Sequence, residues 1–312
     1  MVNLHHKNYD IIMIMNKIKY IITFTLLSVF LYACGGSDND IEVTPFDTEA
    51  QALIDGDSLT KFLSNYYYDT NIDSLKPIEP GKTALINESA DKLKRINVTE
   101  NDINYTLYVY VNNVGTPEPM KGFPTVMDSI LVTYQGQKIA RTDSLSTFET
   151  RRTPVWLNLN AVIRGWTYGF PNFKGGKNVT ANGPITYENG GKGLLIIPSG
   201  LAYGNFGSGI AIGANQNLLF YINLFDIVED TDVDNDNVPS IFEDPDGDGD
   251  PRNDDSDSDG IPNYADTDDD GDGVLTKFED KNLDGNPRND FNDPNNPTLP
   301  DYLNFKFRFS KQ

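Results

Sequence analysis

Ala161-Val162-Ile163-Arg164-Gly165-Trp166 opens the one short helical stretch, near residues 163–170, in a region that otherwise has the pattern of β-strands. From Ile103 onward apolar residues alternate with polar ones, which is the period of a strand with one buried face. Five segments have this strand pattern: 103–111, 130–134, 155–159, 193–197 and 218–227. An antiparallel sheet wrapped on one short helix predicts an α+β domain over residues 103–229.

The segment before this domain, residues 46–102, is predicted to be a helical extension. Between Phe46 and Tyr68 apolar residues recur at three- and four-residue spacing, the period of an amphipathic helix, and Gly56 weakens it midway. We expect the apolar face of this helix to pack on the following domain, and binding of a partner protein is the alternative. Trp156, on a predicted strand, is expected to be a core residue.

The acidic residues are concentrated in one part of the chain. The 312 residues include 46 acidic and 25 basic ones, for a formal net charge of −21. Between Glu229 and Asp301 lie 25 acidic and four basic residues, so the remainder of the chain is neutral overall. A polyanionic segment repels nucleic acid and attracts cations, so we expect no nucleic-acid partner.

Histidine and cysteine usage excludes several kinds of active site. The two histidines, His5 and His6, and the single cysteine, Cys34, all lie within the first 34 residues. If that segment is removed, the rest cannot form a Ser-His-Asp triad, a Cys-His pair, a CxxC redox site or a His-ligated zinc site. Chemistry must then depend on carboxylates, hydroxyls, aromatic rings or shape, and we expect catalysis to need no cofactor.

The N-terminus has the pattern of a secretory signal. Lys17 and Lys19 precede a short apolar run from Tyr20 to Tyr32, and the run ends in Leu31-Tyr32-Ala33-Cys34. This ending resembles a bacterial lipobox. A transmembrane helix is the alternative, and the two lysines and the shortness of the run count against it.

The lipobox resemblance implies that residues 1–34 are a lipoprotein signal peptide and that Cys34 is acylated. Residues 35–45 are rich in Gly, Ser and Asp and are interpreted as a linker. Two or three acyl chains hold a protein firmly on a membrane. We therefore expect an outer-membrane lipoprotein on the periplasmic or the cell-surface face.

Four motifs follow one another in the predicted domain: Val132-Thr133-Tyr134-Gln135-Gly136, Ala161-Val162-Ile163-Arg164-Gly165-Trp166, Ile197-Pro198-Ser199-Gly200-Leu201-Ala202-Tyr203-Gly204, and Asn215-Gln216-Asn217-Leu218-Leu219-Phe220. In this order and spacing they resemble the FKBP-type peptidyl-prolyl cis-trans isomerases. The likeness covers roughly residues 103–229. It implies an FKBP-like fold, isomerisation of X-Pro bonds, and proline-containing polypeptides as partners in protein folding outside the cytoplasm.

The resemblance also implies an aromatic pocket for the proline ring. Trp166 matches the family's pocket floor, while the amide of Ile163 and the hydroxyl of Tyr203 match its hydrogen-bond donors. Such a pocket suits this chain because rotation about an X-Pro amide needs no covalent step. The implied site residues are Tyr134, Phe148, Glu149, Val162, Ile163, Trp166, Tyr203, Ile212 and Phe220.

Several positions depart from the family's pattern. Glu149 replaces the usual aspartate, Val155 replaces a frequent aromatic residue, and Ile212-Gly213-Ala214 replaces the usual Ile-Pro-Pro. Residues 175–190 form an insertion, which is expected to tune partners or to cover part of the pocket. A second interpretation therefore stays open: a non-catalytic module for peptide binding, chaperone activity or surface adhesion.

The acidic segment, residues 230–298, repeats with a period of 36 residues. Its carboxylates fall at positions 1, 3, 5 and 12 of an EF-hand-type calcium loop, with a main-chain carbonyl at position 7. The predicted ligands are Asp232, Asp234, Asp236, Val238 and Glu243 in the first frame; Asp255, Asp257, Asp259 and Asp266 in the next; and Asp268, Asp270, Asp272, Val274 and Glu279 in the last.

No helices flank these loops, so the segment more closely resembles the thrombospondin type 3-like calcium repeats of secreted bacterial proteins. That resemblance implies structural calcium ions in place of a hydrophobic core, and a solvated acidic spacer is the alternative. Residues 299–312 alternate aromatic and basic side chains and predict a C-terminal strand.

Overall fold

The computed structural model describes residues 46–141 and 144–307. Contacts divide the chain into two compact units, Met1–Phe46 and Asp47–Gln312, and the description below concerns the second. The predicted signal peptide, Cys34 and the linker lie outside the described residues. Within the described part of the chain, no helix is both long enough and apolar enough to cross a bilayer.

A six-stranded antiparallel sheet forms the body of this unit, in the order β3-β4-β9-β10-β5-β6. Two short hairpins, β1–β2 and β7–β8, lie outside it. In chain order the helices and strands are α1 (Thr48–Asn65), β1 (Tyr66–Asp69), β2 (Ser74–Pro77), β3 (Leu93–Glu100), β4 (Ile103–Asn113), β5 (Ser129–Arg141), β6 (Ser144–Asn158), α2 (Arg164–Gly169), β7 (Lys177–Asn178), β8 (Tyr187–Glu188), β9 (Gly191–Ile197) and β10 (Leu218–Val228).

The sheet is covered on both faces, and β9 shows why. Leu195 and Ile197 belong to the core on the α2 side, whereas Leu194 and Ile196 belong to a second core on the α1 side. Successive side chains of a strand point to opposite faces, so a strand buried on both sides is apolar throughout. We predicted a sheet wrapped on one short helix, and the N-terminal extension supplies a second layer.

Helix α1 packs its apolar face on the sheet, as expected. The side chain of Asp47 caps its N-terminus by accepting a 2.9 Å hydrogen bond from the amide of Ala50. Its residues Leu59, Phe62 and Leu63 are fully buried in the second core. The helix ends at Asn65, because the three tyrosines that follow form β1 and are themselves buried.

The predicted helical extension over residues 46–102 is wrong for its second half. Strand β3 pairs along its whole length with β4, so the sheet begins before the predicted boundary at Ile103. Asn101 and Asp102 join the two strands with φ values of 51° and 61°. Two central residues with positive φ make a tight hairpin turn, and Asn and Asp tolerate that conformation better than most residues.

The expectation that Trp156 lies in the core is wrong. It lies on β6, the edge strand of the sheet, and is 47% exposed. Its neighbours Val155 and Leu157 pack against the core on the α2 side. Because alternate residues face opposite ways, Trp156 points to the other face, which the N-terminal extension leaves uncovered at this position.

The acidic tail contains no strand and no α-helix among its described residues. Single 3₁₀ turns punctuate it at intervals, including Ser240–Phe242, Thr276–Phe278 and Asp301–Leu303. The predicted C-terminal strand over residues 299–312 is therefore wrong as far as residue 307. Instead, the turn buries Tyr302 while the Asp301 carboxylate accepts hydrogen bonds from the amide and side chain of Asn292.

Candidate functional site

A pocket of about 500 Å³ opens between the start of α2, strands β5 and β6, and the loop after β9. Eight of the nine implied site residues line it, with Ile212 as the exception. The complete lining is Tyr134, Phe148, Glu149, Leu157, Ala161, Val162, Ile163, Arg164, Trp166, Ala202, Tyr203 and Phe220. Leu157, Ala161, Arg164 and Ala202 were not singled out from the sequence.

Aromatic rings form the floor and one wall of the pocket through edge-to-face contacts. The ring of Trp166 lies 5.1 Å from that of Phe220 at 89°, and 4.9 Å from that of Tyr134 at 86°. Phe148 meets Phe220 at 5.7 Å and 88°. Edge-to-face packing fixes each ring by its neighbour and leaves the faces of the outer rings free for an apolar ligand.

Gly136 allows this ring cluster to form, although its role was not predicted. A Cβ atom at this position would lie 2.4 Å from Cζ of Phe148 and 2.9 Å from Cε1 of Phe220. Only glycine lets both rings approach the strand so closely. The signal in the sequence was a glycine inside a strand two residues after Tyr134.

Glu149 contacts the pocket through Tyr134. The Tyr134 hydroxyl donates a 2.9 Å hydrogen bond to Oε1 of Glu149. Burial of the tyrosine and this hydrogen bond to a carboxylate raise the pKa of Tyr134 to about 12, so the hydroxyl keeps its proton. The additional methylene of Glu149, compared with aspartate, does not prevent this contact.

Three polar groups of the pocket have no hydrogen-bond partner within the described chain. The indole Nε1 of Trp166 is buried without one. Neither the amide of Ile163, at the N-terminus of α2, nor the half-exposed hydroxyl of Tyr203 donates a hydrogen bond to residues 46–141 or 144–307. Donors left free in an apolar pocket can bind the carbonyl groups of a ligand.

The loop that carries Tyr203 is held in place by α1. Oδ2 of Asp55, a buried residue of α1, accepts hydrogen bonds of 2.9 Å from the Ser199 amide and 2.6 Å from the Ser199 hydroxyl. The same amide also donates to Oδ1 of Asn217, at the start of β10. The N-terminal extension thus supports the pocket rim from behind.

Ile212 does not line the pocket, contrary to what the resemblance implied. Reciprocal backbone hydrogen bonds of 2.8 and 3.2 Å between Ser208 and Ile212 fold the rim loop back on itself. This turn directs Ile212 into the core beside Trp166 and Phe220. The inserted residues 175–190 do not line the pocket either, and their hairpin attaches to β10, where the Tyr187 hydroxyl donates to Asp226.

Comparison with known proteins identifies the region that contains this pocket. Residues 121–225 match the FKBP-type peptidyl-prolyl cis-trans isomerase family. Residues 233–302 match a second family, described as BamM C-terminal. The FKBP-type domain therefore contains the whole aromatic pocket, and the second match covers the acidic tail.

Curated relatives match the FKBP-type domain. FKBP-type peptidyl-prolyl cis-trans isomerase FkpA of Escherichia coli K12 is 34% identical over 104 residues, 33% of this chain and 33% of FkpA. Peptidyl-prolyl cis-trans isomerase Mip of Coxiella burnetii is 31% identical over 104 residues, 33% of this chain and 39% of Mip. This chain thus spans about a third of the length of each relative that it matches.

Solved structures give similar matches at lower identity. A peptidyl-prolyl cis-trans isomerase of Pseudomonas syringae pv. tomato is 21% identical and covers 60% of this chain and 99% of its own, with a TM-score of 0.34. The crystal structure of FkpA from Escherichia coli is 22% identical and covers 67% of this chain and 72% of its own, also at 0.34. The assignment of the FKBP-type domain rests on the family and on the curated relatives.

The tail brings most of its predicted calcium ligands together. In each of several triads the carboxylate oxygens lie within 4.8 Å of one another. Asn237, Gly260 and Gly273, at the sixth loop positions, have φ values of 78°, 96° and 89°, as the sharp turn of a calcium loop requires. The predicted triads that form are Asp232 with Asp234 and Asp236, Asp255 with Asp257 and Asp259, and Asp268 with Asp270 and Asp272.

The remaining predicted ligands have different surroundings. Glu243 and Glu279, at the twelfth positions, are fully buried, and neither oxygen of either carboxylate has a hydrogen-bond partner. The amides of Val238 and Val274 each donate 2.7 Å bonds within their loops. Asp266 joins no triad of the described residues, and its Oδ1 accepts a hydrogen bond from the amide of Asp268 instead.

Buried carboxylates without partners are costly unless a proton or a cation neutralises them. Burial and neighbouring carboxylates raise the pKa of Glu243 to about 10 and that of Glu279 to about 9. Oxygen-only clusters of this size are the ligand sets that calcium prefers. The donor set of the tail thus fits a hard divalent cation.

Two clusters of the tail were not predicted. Asp269, in the third calcium loop, joins Asp236 and Glu243 of the first loop, and both of its oxygens lack a hydrogen-bond partner. Asp244, Asp246 and Asp254 form another triad between the first and second predicted loops. The signal for the second cluster was its alternate aspartates, but it lacks a carboxylate at position twelve.

Proposed function

We propose that this chain is a peptidyl-prolyl cis-trans isomerase that assists protein folding outside the cytoplasm. The observation that carries the proposal is the aromatic pocket with Trp166 as its floor, within a domain that matches the FKBP-type family. Curated relatives of this domain are named as enzymes of that activity. Proline-containing polypeptides are the proposed substrates.

The chemistry needs a shaped apolar surface rather than a reactive group. Amide resonance sets a barrier of about 18–20 kcal/mol to rotation about the X-Pro bond. In the twisted transition state this resonance is lost and the carbonyl no longer shares charge with nitrogen, so an environment without water favours it. The rings of Trp166, Tyr134 and Phe220 would hold the proline and exclude water from the amide.

Two donors would orient the peptide in this pocket. The amide of Ile163 and the hydroxyl of Tyr203 lie at the lining and are without partners in the described chain. Both would bind carbonyl groups on either side of the proline and so hold the peptide while the X-Pro bond turns. Glu149 would act through the Tyr134 hydroxyl, which it orients.

A protease-coupled assay with a proline-containing peptide tests the activity. We expect the chain to accelerate isomerisation, and we expect Trp166→Ala and Phe148→Ala to slow it. Phe148 is partly exposed, so its substitution leaves the fold intact even if loss of Trp166 disturbs the core. Trp156→Ala is the matched control, because this other tryptophan lies outside the pocket. Rates at the uncatalysed level in the wild type would contradict the proposal.

A second candidate is a non-catalytic chaperone or peptide-binding module. Phe206 and Ile210, on the loops beyond Tyr203, are almost fully exposed, which suits contact with apolar segments of client proteins. A binding module would hold prolyl peptides without changing their rate of isomerisation. The exchange measurement that closes the Discussion distinguishes the two functions.

For the tail we propose structural calcium sites built from the predicted triads and the two buried glutamates. The support is the set of carboxylate oxygens at Glu243 and Glu279 that lack any partner despite full burial. Affinities in the class of extracellular modules, on the order of 10⁻⁴ to 10⁻³ M, are expected. Calorimetry with calcium tests this, and absence of heat at millimolar ion would contradict it.

The proposed location is the outer membrane, with Cys34 as the lipid-bearing residue. The support is the lysine-rich start, the apolar run and the Leu-Tyr-Ala-Cys ending, residues 31–34. Labelling cells with a radioactive fatty acid should mark the wild-type chain and leave Cys34→Ala unmarked. Equal labelling of both would remove the anchor from the account.

A further inference from the structure

The acidic tail contacts the FKBP-type domain through one arginine. The Arg252 guanidinium donates hydrogen bonds of 3.3 and 3.5 Å to the carboxylate of Glu100, at the end of β3, and one of 3.0 Å to the hydroxyl of Tyr168 on α2. Oε1 of Glu100 also accepts from Nε of Arg164, at 3.3 Å. Since Arg164 lines the pocket, Glu100 links the tail to the helix that carries Trp166.

The loop that precedes Arg252 holds its guanidinium in place. The Asp250 carboxylate accepts two hydrogen bonds from this guanidinium, at Nε and at a terminal nitrogen. The amide of Asp250 in turn donates 2.7 Å to Asp248, and the Asn253 side chain donates 2.9 Å to the same carboxylate. The position of Arg252 therefore depends on how residues 244–254 are folded.

Those residues surround a cluster of carboxylates. Oxygens of Asp244, Asp246 and Asp254 lie within 4.8 Å of one another. Oxygen ligands placed about 2.3–2.6 Å from one calcium ion are at most about 5 Å apart, so a single ion can contact all three. Asp254 is only 7% exposed, and its Oδ2 has no hydrogen-bond partner. A buried carboxylate oxygen without a donor, facing two others, requires a cation.

We propose that a divalent cation, of which calcium is the best fit, binds at Asp244, Asp246 and Asp254 and thereby docks the tail onto the FKBP-type domain through Arg252. This site is additional to the calcium sites proposed above, and it rests on the proposal that the tail binds calcium. Only two residues separate Arg252 from Asp254, so an ion that fixes the loop also fixes the guanidinium. Release of the ion frees Arg252 from Glu100 and Tyr168.

The second half of the 36-residue repeat provides internal controls. Asp290 corresponds to Asp254, is 4% exposed, and likewise has an Oδ2 without a partner. Arg288 corresponds to Arg252, yet it stacks 3.6 Å from the ring of Phe242 within the tail. Asn286 replaces Asp250, so Arg288 lacks the carboxylate that clamps Arg252. The second half thus offers the same loop chemistry without the contact to the FKBP-type domain.

Hydrogen exchange and calcium stoichiometry, measured on the whole chain, test the proposal. In the wild type, calcium should slow amide exchange in α2 and at the end of β3 roughly tenfold, as expected for loss of a network of charge-assisted hydrogen bonds. Asp254→Asn should bind one ion fewer and lose that protection. Arg252→Ala should keep the full number of ions and still lose it. Asp290→Asn and Arg288→Ala should keep it.

Different failures have different meanings. If Asp254→Asn binds as many ions as the wild type, the new site is wrong while the other calcium sites stand. If calcium leaves exchange in α2 unchanged in the wild type, or if Arg252→Ala retains the protection, the docking is wrong. If the wild type binds no calcium, the proposed calcium function of the tail is itself wrong.

Discussion

Tyr134 donates a 2.9 Å hydrogen bond to Glu149 across two neighbouring strands of the sheet, and both side chains line the aromatic pocket. Glu149 was singled out as a departure from the aspartate of the family. Its longer side chain nevertheless reaches the tyrosine. The contact holds the Tyr134 ring against Trp166, with the two ring centres 4.9 Å apart.

Substitution of Glu149 should reduce activity with little effect on stability. Glu149→Ala removes the acceptor and frees the Tyr134 ring, so kcat/KM should fall by roughly threefold to tenfold, the equivalent of one hydrogen bond. Glu149→Gln keeps an acceptor and should lie between the two. Because Glu149 is exposed, thermal unfolding should be unchanged. An equal loss for Glu149→Gln and Glu149→Ala would show that charge, and not the hydrogen bond, matters.

Gly136→Ala should damage the pocket through Phe148. The new methyl group would lie 2.4 Å from the ring of Phe148, so the ring must move away from Phe220. A displaced wall of this kind should lower kcat/KM by roughly tenfold. Gly213→Ala is the matched control, since a methyl group there meets no atom within 4 Å. Comparable rates for both variants would contradict the assigned role of Gly136.

Asp55 should stabilise the chain through Ser199. Asp55→Ala leaves the amide and hydroxyl of Ser199 short of an acceptor, so the free energy of unfolding should fall by about 1–3 kcal/mol. Asp55→Asn retains an acceptor and should lose less. Urea unfolding of the two variants and the wild type measures the difference. Equal stability of Asp55→Ala and the wild type would contradict the support given to the pocket rim.

Asp55 also predicts a dependence on pH. Burial raises its pKa above the ordinary value of 3.8, although the hydrogen bonds from Ser199 oppose the shift. The folded state therefore holds the proton more tightly than the unfolded state does. The stability of the wild type relative to Asp55→Asn should fall as pH rises from 3.8 through the raised pKa. A relative stability that increases over this range would mean that the pKa is lowered instead.

The two tryptophans offer a direct reporter of ligand binding. Trp166 is 4% exposed at the pocket floor, whereas Trp156 is 47% exposed on the edge strand. In Trp156→Phe, all tryptophan emission comes from Trp166, and a prolyl peptide should change its intensity by displacing water above the ring. In Trp166→Phe the same peptide should leave the emission unchanged. A response only in the second variant would place the peptide elsewhere.

The sheet and the pocket could be predicted because their residues repeat or form motifs. Alternation indicated the strands, and four motifs in order indicated eight of the residues that line the pocket. Trp156 was misplaced because the alternation of a strand does not say which face is buried. Ile212 was misplaced because its direction depends on the Ser208 turn, which brings together residues of a loop with no regular period.

The tail shows a different limit of sequence reasoning. Ligands within one loop are fixed by spacing, so the triads around Asp234, Asp257 and Asp270 could be predicted. Asp269 and Arg252 could not, because each contacts residues that are distant in the sequence. Strand β3 was missed for a more local reason: the hairpin signal at Asn101-Asp102 was present and was not used.

Exchange spectroscopy by NMR on a proline-containing peptide tests the central claim most directly. At equilibrium, a catalytic amount of the chain should accelerate interconversion of the cis and trans peptide, which otherwise takes tens to hundreds of seconds, without changing their ratio. Phe148→Ala should reduce the acceleration and Trp156→Ala should not. Peptide binding with no acceleration by the wild type would contradict the isomerase and leave the chaperone or binding module as the function of this pocket.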